Sequence, residues 1–229
     1  MTPFVRLAGI AAPLMEENVD TDIIFPARFL LITARDGLGR YAFHDRRFDA
    51  NGTERPGFIL NRSPYSGTRI LITDANFGSG SSREQAVWAL AGFGIACIIA
   101  PSFGEIFHAN CFRNGVLPIV LPQATVATLA KLAEAKGYFT VDLEAQTVTV
   151  GTRETAFYIP AEQRLALLNG WDDTATILNT READIVAFEA QQRQAQPWLW
   201  EAIRPTISPP IMPTPTTPAS ASARDRLSS

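Results

Sequence analysis

The sequence predicts an α/β fold with a mostly parallel sheet and an added antiparallel β element. Between residues 69 and 137, short apolar runs alternate with amphipathic stretches in the order β-α-β-α-β-α, which favours parallel strands joined by right-handed crossovers. From residue 139 onward, β-branched and polar residues alternate around a short turn, as in a hairpin. The 229 residues are 46% hydrophobic and 19% charged, which indicates a chain that buries a sizeable core.

The parallel part is predicted from apolar runs and from glycines that end helices. The strands are expected at residues 69–73, 95–100 and 116–121, and the second of these is apolar throughout, as in a strand covered on both faces. The helices are expected at residues 82–93, 102–114 and 123–136, with Gly94 and Gly137 as C-terminal stops. The hairpin-like strands are expected at 139–143, 147–150 and 155–159, and the last helices at 161–168 and 181–192.

The end of the chain differs in composition from the rest. Residues 197–229 are rich in Pro, Ser, Thr and Ala, and such a segment buries too little apolar surface to offset the entropy of ordering it. We therefore expect one domain over residues 1–196, followed by a flexible tail at 197–229.

Charge and cysteine content exclude several classes of protein. With 20 Lys and Arg against 23 Asp and Glu, the chain lacks the basic surface of a nucleic-acid binder. Two Cys and two His are too few for a structural zinc or iron–sulfur site, and two lone cysteines suit a reducing compartment. The longest apolar run, residues 95–101, is much shorter than the roughly 20 residues that span a bilayer. No signal-peptide pattern opens the sequence. We expect a cytoplasmic protein that binds neither nucleic acid nor a membrane.

A glycine-rich segment between the first predicted strand and helix of the parallel part carries most of the chemical information. It spans residues 76–84 and reads NFGSGSSRE. Backbone N–H groups in such a turn, together with the helix N-terminus, are able to hold a carboxylate or a phosphate. The segment lacks the lysine of a P-loop, the third glycine of a dinucleotide-binding fingerprint and the central serine of a hydrolase elbow.

Two interpretations of this segment follow from the residues. Ser81 and Glu84 have the spacing of a helix capping box, and Ser102 and Glu105 repeat that spacing at the next predicted helix. The alternative is an anion site, because an arginine in the first helical turn, here Arg83, opposes the helix dipole unless an anion is bound.

Five other polar or sulfur-containing residues allow simpler interpretations. Asp20 and Asp22 precede an apolar run, where they either begin a helix or turn or contribute to a site. His44 and His108 are each expected to be hydrogen-bonded structural residues. Cys97, inside an apolar strand, is expected to be a buried and unreactive thiol.

Five segments taken in order resemble the small subunits of 3-isopropylmalate dehydratase, a family of the aconitase superfamily. They read NVDTDIIFPARFL, FGSGSSREQAVWAL, APSFGEIFHANCFRNGVLPI, VDLEAQTV and NGWDD. The resemblance implies the β/β/α architecture of aconitase's swivelling domain and the interconversion of 2-isopropylmalate and 3-isopropylmalate in leucine biosynthesis. It also implies a large-subunit partner, in a heterodimer or heterotetramer. That partner is expected to carry a [4Fe-4S] cluster, and this chain is expected to bind no cofactor.

The same resemblance assigns roles to five residues. Ser81 corresponds to the base that removes a proton from the carbon next to a carboxylate. Arg83 and Asp22 correspond to the other catalytic positions, and Ser82 and Gly80 to substrate-binding positions. All five lie in two of the segments quoted above, at residues 18–30 and 77–90.

A third region, residues 27–40, corresponds to the loop that discriminates among substrates in the superfamily. Its apolar residues either meet the substrate's alkyl group or pack in the core: Phe29, Leu30, Leu31 and Ile32. The chain departs from the common family pattern at Ser79 and Gln85, where a cysteine and a histidine are usual. Two alternatives follow: a related subunit for another 2-hydroxy diacid, of the citraconate or dimethylmalate type, or a non-catalytic anion-binding module.

Overall fold

A seven-stranded mixed sheet organises the residues that precede Ala183. The structure, a computed structural model, describes residues 1–200, and the chain divides into two compact units between Glu182 and Ala183. The strands of the first unit are β1 (Arg6–Leu14), β2 (Ile70–Thr73), β3 (Cys97–Ala100), β4 (Leu117–Val120), β5 (Tyr138–Asp142), β6 (Thr147–Val150) and β7 (Arg153–Ala156).

The order of the strands confirms the predicted fold class. The sheet runs β4-β3-β2-β1-β5-β6-β7. Strands β1 to β4 are parallel to one another, whereas β5, β6 and β7 continue the other side as an antiparallel meander. Strand β1 joins the two halves, because Ala11 aligns with Ile70 of β2 and Leu7 aligns with Val141 of β5. The sequence pattern did not predict β1.

The helices of the first unit are short and lie mostly between the parallel strands in sequence. They are α1 (Thr21–Ile24), α2 (His44–Arg47), α3 (Glu84–Phe93), α4 (Glu105–Arg113), α5 (Gln123–Glu134), α6 (Ala161–Asn169) and α7 (Asp173–Thr180). Single 3₁₀ turns occur at Ala27–Phe29, Leu38–Tyr41 and Ile59–Asn61. Helices α2 and α7 were not predicted, a helix start near Asp20 was one of two interpretations, and α3 and α4 begin later than predicted.

Two apolar cores cover the two faces of the sheet. Within β2, Ile70 and Ile72 contribute to one core and Leu71 to the other, because successive side chains of a strand point to opposite faces. The core on the Leu71 side includes buried residues of α3 and α4, and the opposite core includes buried residues of α5. The fully buried run of β3 thus has the two-sided cover that its apolar sequence predicts.

The second unit begins within helix α8 (Glu182–Ala195), which is followed by a 3₁₀ turn at Pro197–Leu199. A surface ion pair joins Arg193 to Glu189 one helical turn earlier, at 3.3 Å. Most of the predicted tail, residues 201–229, lies outside the described residues, and the predicted domain boundary at residue 196 stays a prediction. Within residues 1–200, no helix combines the length and the apolar character needed to cross a membrane.

A glycine pair holds the Leu38–Tyr41 turn tightly against α3. A Cβ placed on Gly39 would lie 2.2 Å from the carbonyl carbon of Gly92, so the two backbones touch. The Arg47 guanidinium is buried behind this contact and donates to the carbonyl oxygens of Gly39 and Ala42, both at 3.3 Å. Because backbone lies on both sides, no side chain is able to move away and make room.

Gly39→Ala should therefore destabilise the fold. We expect the free energy of unfolding to fall by about 2 kcal/mol, the usual cost of overpacking, as measured by urea denaturation. Gly57→Ala is the matched control, since a Cβ on Gly57 meets no atom within 4 Å. Equal denaturation midpoints for the two variants would contradict the backbone contact.

Candidate active site

The segments that follow β1, β2 and β3 lie side by side at the carboxyl ends of the parallel strands. Asp20 pairs with Ser79, and Phe77 pairs with Phe103, each as an isolated parallel bridge. Parallel sheets bind ligands at this edge, most often where the strand order changes direction. Here the change occurs at β1, which has parallel strands on one side and antiparallel strands on the other.

Two glycines allow the central segment to lie directly on helix α4. Gly78 has φ 73°, and a Cβ there would lie 2.2 Å from the Phe107 ring. A Cβ on Gly104, the residue before α4, would lie 2.5 Å from the carbonyl oxygen of Gly78. Gly78, which lies in the segment predicted to approach an anion closely, thus also provides close approach to the neighbouring helix.

The turn then brings Ser81 to the surface. Gly80 has φ 89°, a left-handed conformation that favours glycine. The Thr21 hydroxyl donates to the carbonyl oxygen of Ser81 at 2.9 Å and so fixes the backbone of the turn. Ser81 and Ser82 are both exposed, and among residues 1–200 neither hydroxyl has a hydrogen-bond partner.

The capping-box interpretation of this segment is wrong. Helix α3 begins at Glu84 with Arg83 as its N-cap, and no side chain caps it. Ser81 therefore lies too far before the helix to cap it, and its hydroxyl remains available. Ser102 does not cap α4 either: its Oγ accepts from the backbone N–H of Asn76 at 2.8 Å and holds the turn in place.

An ion pair joins the segment after β1 to the glycine-rich segment after β2. The Arg83 guanidinium donates to Oδ1 of Asp22. Asp20 is the N-cap of α1 and accepts from the backbone N–H of Ile23 at 2.8 Å, so the helix-starting interpretation is confirmed for Asp20. Asp22, two residues later, is left to orient the arginine. The Arg83 side chain is only 16% exposed, whereas that of Asp22 is 50% exposed.

A cleft of about 150 Å³ opens beside the turn. Of the predicted site residues, Gly80, Ser81 and Arg83 line it, whereas Asp22 reaches it through Arg83 and Ser82 lies outside its lining. The remaining lining residues are Thr21, Gly78, Gly104, Glu105, Ile106 and Phe107. The sequence did not predict the contribution of α4, because contacts between the two segments, among them the Gly78–Gly104 contact and the Phe77–Phe103 bridge, bring its first turn here.

Residues 27–40 combine core packing with exposure. Phe29, Leu30 and Ile32 are partly buried against the core on the Leu71 side, whereas Leu31 is 93% exposed. Of the four apolar residues considered for contact with an alkyl group, three thus pack in the protein and Leu31 alone is strongly exposed.

The histidines and cysteines contribute packing in the described residues. The His108 ring lies between the rings of Phe103 and Phe112, and burial lowers the pKa of its imidazole. Cys97 and Cys111 are fully buried, and burial raises the pKa of both thiols, which confirms the expectation for Cys97. Over residues 1–200 no three His, Cys, Asp or Glu side chains are grouped to hold a metal ion. Two core thiols do not fit an iron–sulfur cluster.

Comparisons with known proteins first define the class. The family model of the aconitase C-terminal domain matches residues 1–124, more than half of the chain. A second model, which describes the C-terminal domain of 3-isopropylmalate dehydratase small subunits, matches residues 180–201.

The particular family follows from curated relatives. The chain is 51% identical to a 3-isopropylmalate dehydratase small subunit of Rhodospirillum centenum over 201 residues, covering 86% of this chain and 98% of that protein. It is 50% identical to the small subunit of Gluconacetobacter diazotrophicus, over 86% of this chain and 97% of that one. The chain therefore belongs to the small-subunit family of 3-isopropylmalate dehydratase, a hydro-lyase.

A solved structure agrees with the fold. A 3-isopropylmalate dehydratase from Methanocaldococcus jannaschii superimposes with a TM-score of 0.56 at 22% identity, covering 81% of this chain and 99% of that one. The expected aconitase swivelling-domain-like architecture is thus confirmed.

An ion pair anchors the beginning of residues 27–40. The Arg28 guanidinium donates to both carboxylate oxygens of Asp45 and approaches Nδ1 of His44 at 3.1 Å. This hydrogen bond from Arg28 is the main cause that lowers the pKa of Asp45 to about 2, and His44 lowers it further.

The titration of Asp45 tests this anchor. We expect carboxyl NMR to give Asp45 a pKa of about 2, and Arg28→Gln to raise it toward the ordinary value of 3.8. Because the folded-state pKa is the lower one, any stabilisation is present above pH 3.8 and is lost as the pH falls toward 2. Arg46→Gln is the control, since Arg46 pairs with Glu16 instead. An Asp45 pKa near 4 in the parent chain would contradict the pairing.

Proposed function

We propose that this chain is the small subunit of a two-chain hydro-lyase that interconverts 2-isopropylmalate and 3-isopropylmalate, a step of leucine biosynthesis in the cytoplasm. The observation that carries the proposal is the exposed, unpartnered Ser81 hydroxyl beside the largely buried Arg83 guanidinium in one cleft. Family membership supports the choice of substrate, since the relatives bear this enzyme's name.

Ser81 is the proposed base. In dehydration it takes the proton from the carbon next to a carboxylate, the C–H electron pair forms the C=C bond, and the hydroxyl leaves from the neighbouring carbon. Rehydration reverses these steps with the hydroxyl on the other carbon. A serine hydroxyl is a poor base, so its alkoxide needs stabilisation that exists before reaction. Arg83 and the first turn of α3, which begins at Glu84, supply positive potential close to Ser81.

Arg83 is the residue proposed to bind a substrate carboxylate. Its planar guanidinium is able to bind a carboxylate through two N–H donors and to offset the negative charge that develops as the proton leaves. Asp22 occupies one donor and orients the group toward the cleft. The exposed Ser82 hydroxyl and the N–H of Gly80 supply further substrate contacts.

The large subunit is the proposed partner, in a heterodimer or heterotetramer. Ser81 and Ser82 face solvent in this chain, so a second polypeptide has room to cover them. A [4Fe-4S] cluster on that subunit would supply a Lewis acid for the departing hydroxyl, a role that the two buried cysteines here do not fit.

The alternatives raised by Ser79 and Gln85 are not favoured. The backbone of Ser79 provides its contact in the site, because its carbonyl accepts from the N–H of Thr21 at 2.9 Å. A serine in place of cysteine leaves that bond intact. The relatives are named as isopropylmalate enzymes rather than as subunits for another diacid or as binding modules.

Ser81→Ala tests the base. In a complex with the large subunit we expect kcat on 3-isopropylmalate to fall by about 10³-fold, within the range for loss of a general base. Association with the large subunit, as measured by size-exclusion chromatography, should be unchanged. Ser66→Ala, at another exposed serine, is the matched control. A kcat equal to that of the control would refute the assignment.

Arg83→Lys tests the carboxylate grip. An ammonium does not reproduce two parallel N–H donors, so we expect kcat/KM to fall by about 100-fold, near the value of two charge-assisted hydrogen bonds. Steady-state kinetics of the complex measure this, with Arg62→Lys, at an exposed arginine, as control. Retention of parent kinetics by Arg83→Lys would show that charge alone suffices.

A further inference from the structure

A fully hydrogen-bonded asparagine connects α4 to the first turn of α3. Asn114, the C-cap of α4, donates through Nδ2 to Oε1 of Glu84 and to the carbonyl oxygen of Asn110, both at 2.9 Å. Its Oδ1 accepts from Nε1 of Trp88 at 2.9 Å. An indole nitrogen only donates and a carboxylate only accepts, so these partners fix which way the amide points.

The same carboxylate meets residues 27–40. Nη2 of Arg35 lies 3.9 Å from Oε1 of Glu84, and the Arg35 guanidinium stacks over the Trp88 ring at 4.3 Å. Glu84 is thus where the first turn of α3, the end of α4 and the segment at 27–40 meet. It also follows Arg83 directly in the chain, so a shift of its backbone moves the arginine.

We propose that Glu84 is a positioning residue: its carboxylate, oriented by Asn114, holds the Ser81–Arg83 turn and residues 27–40 in one arrangement. The inference rests on the proposed function, because it gives the network a role in setting that site. Glu84 does not line the cleft beside Ser81, so its effect on the substrate is indirect, through neighbouring residues.

An acidic side chain in the first turn also stabilises a helix through its interaction with the helix dipole. This effect has to be separated from that of the hydrogen-bond network. Helix α6 provides matched controls. Glu162 is an exposed acid in its first turn, and Asn169 donates to the carbonyl oxygen of Leu165 at 2.8 Å, as Asn114 does to that of Asn110. Glu162→Gln and Asn169→Asp therefore reproduce the dipole and helix-end changes far from the site in sequence.

The test reverses the polarity of one hydrogen bond. Asn114→Asp places a second carboxylate against Glu84, so the two repel. In the double variant Asn114→Asp/Glu84→Gln, the new glutamine amide donates to the new aspartate and restores the bond. The full chain is assayed with the large subunit on 3-isopropylmalate and on malate, which lacks the alkyl group. Amide hydrogen exchange over residues 30–38 of the full chain alone gives a readout that needs no activity.

We expect Asn114→Asp to lower kcat/KM for 3-isopropylmalate by about tenfold, the size of one broken hydrogen bond to a charged group. Its preference for 3-isopropylmalate over malate should also fall, and exchange over residues 30–38 should become faster. The double variant should recover at least half of the loss in kcat/KM on a logarithmic scale, whereas exchange over residues 30–38 should stay fast, because Glu84→Gln removes the carboxylate that faces Arg35. Glu162→Gln and Asn169→Asp should match the parent in all three measurements.

Two results would overturn the proposal. The first is a double variant whose kcat/KM for 3-isopropylmalate is no higher than that of Asn114→Asp. The second is an Asn114→Asp variant that is indistinguishable from Asn169→Asp in all three measurements. Failure of the proposed function is distinguishable from both. In that case the parent complex does not turn over 3-isopropylmalate, while the exchange measurement still decides whether the network anchors residues 30–38.

Discussion

The close approach of Gly78 to helix α4 is the constraint on which the rest of the site depends. The Phe107 ring occupies the space where a side chain at 78 would extend, and the Gly78 backbone occupies the space where a side chain at 104 would extend, so the turn after β2 lies flat between its two neighbours. Backbone pairing then aligns the segments after β1, β2 and β3 as if the strands continued past their ends. This alignment lets residues far apart in sequence form one cleft, and it leaves Ser81 at the rim rather than inside a helix.

The electrostatic arrangement follows from the same alignment. Asp20 satisfies the N-terminus of α1 within its own helix, which frees Asp22 for Arg83 across the segments. A guanidinium that is mostly buried needs a partner to offset lost hydration, and a half-exposed carboxylate supplies one while leaving other N–H donors unused. The pair therefore keeps a cation near Ser81 without neutralising its capacity to bind an additional anion.

The parallel half of the fold was predictable because β2 and β3 are buried throughout and β4 is buried except at Val120, and such strands are apolar almost throughout. Strand β1, the centre of the sheet, escaped prediction since RLAGIAAPL contains a proline and four alanine or glycine positions, which disfavour strands in isolation. Neighbours on both sides override that preference. The start of α3 was predicted too early, and Glu105 and Ile106 were missed, because both depend on contacts between segments rather than on local pattern.

The surface position of Ser81 has a consequence for the chain when it is alone. Water around an exposed hydroxyl competes with every dipole directed at it, and the high dielectric weakens the attraction of Arg83 for a nearby negative charge. The alkoxide then has little advantage over the neutral alcohol. Under the proposed function, docking of a second polypeptide removes that water, so the reactive form of the serine arises only inside the assembled enzyme. On the same proposal, the serine of the unassembled subunit is unreactive as a base.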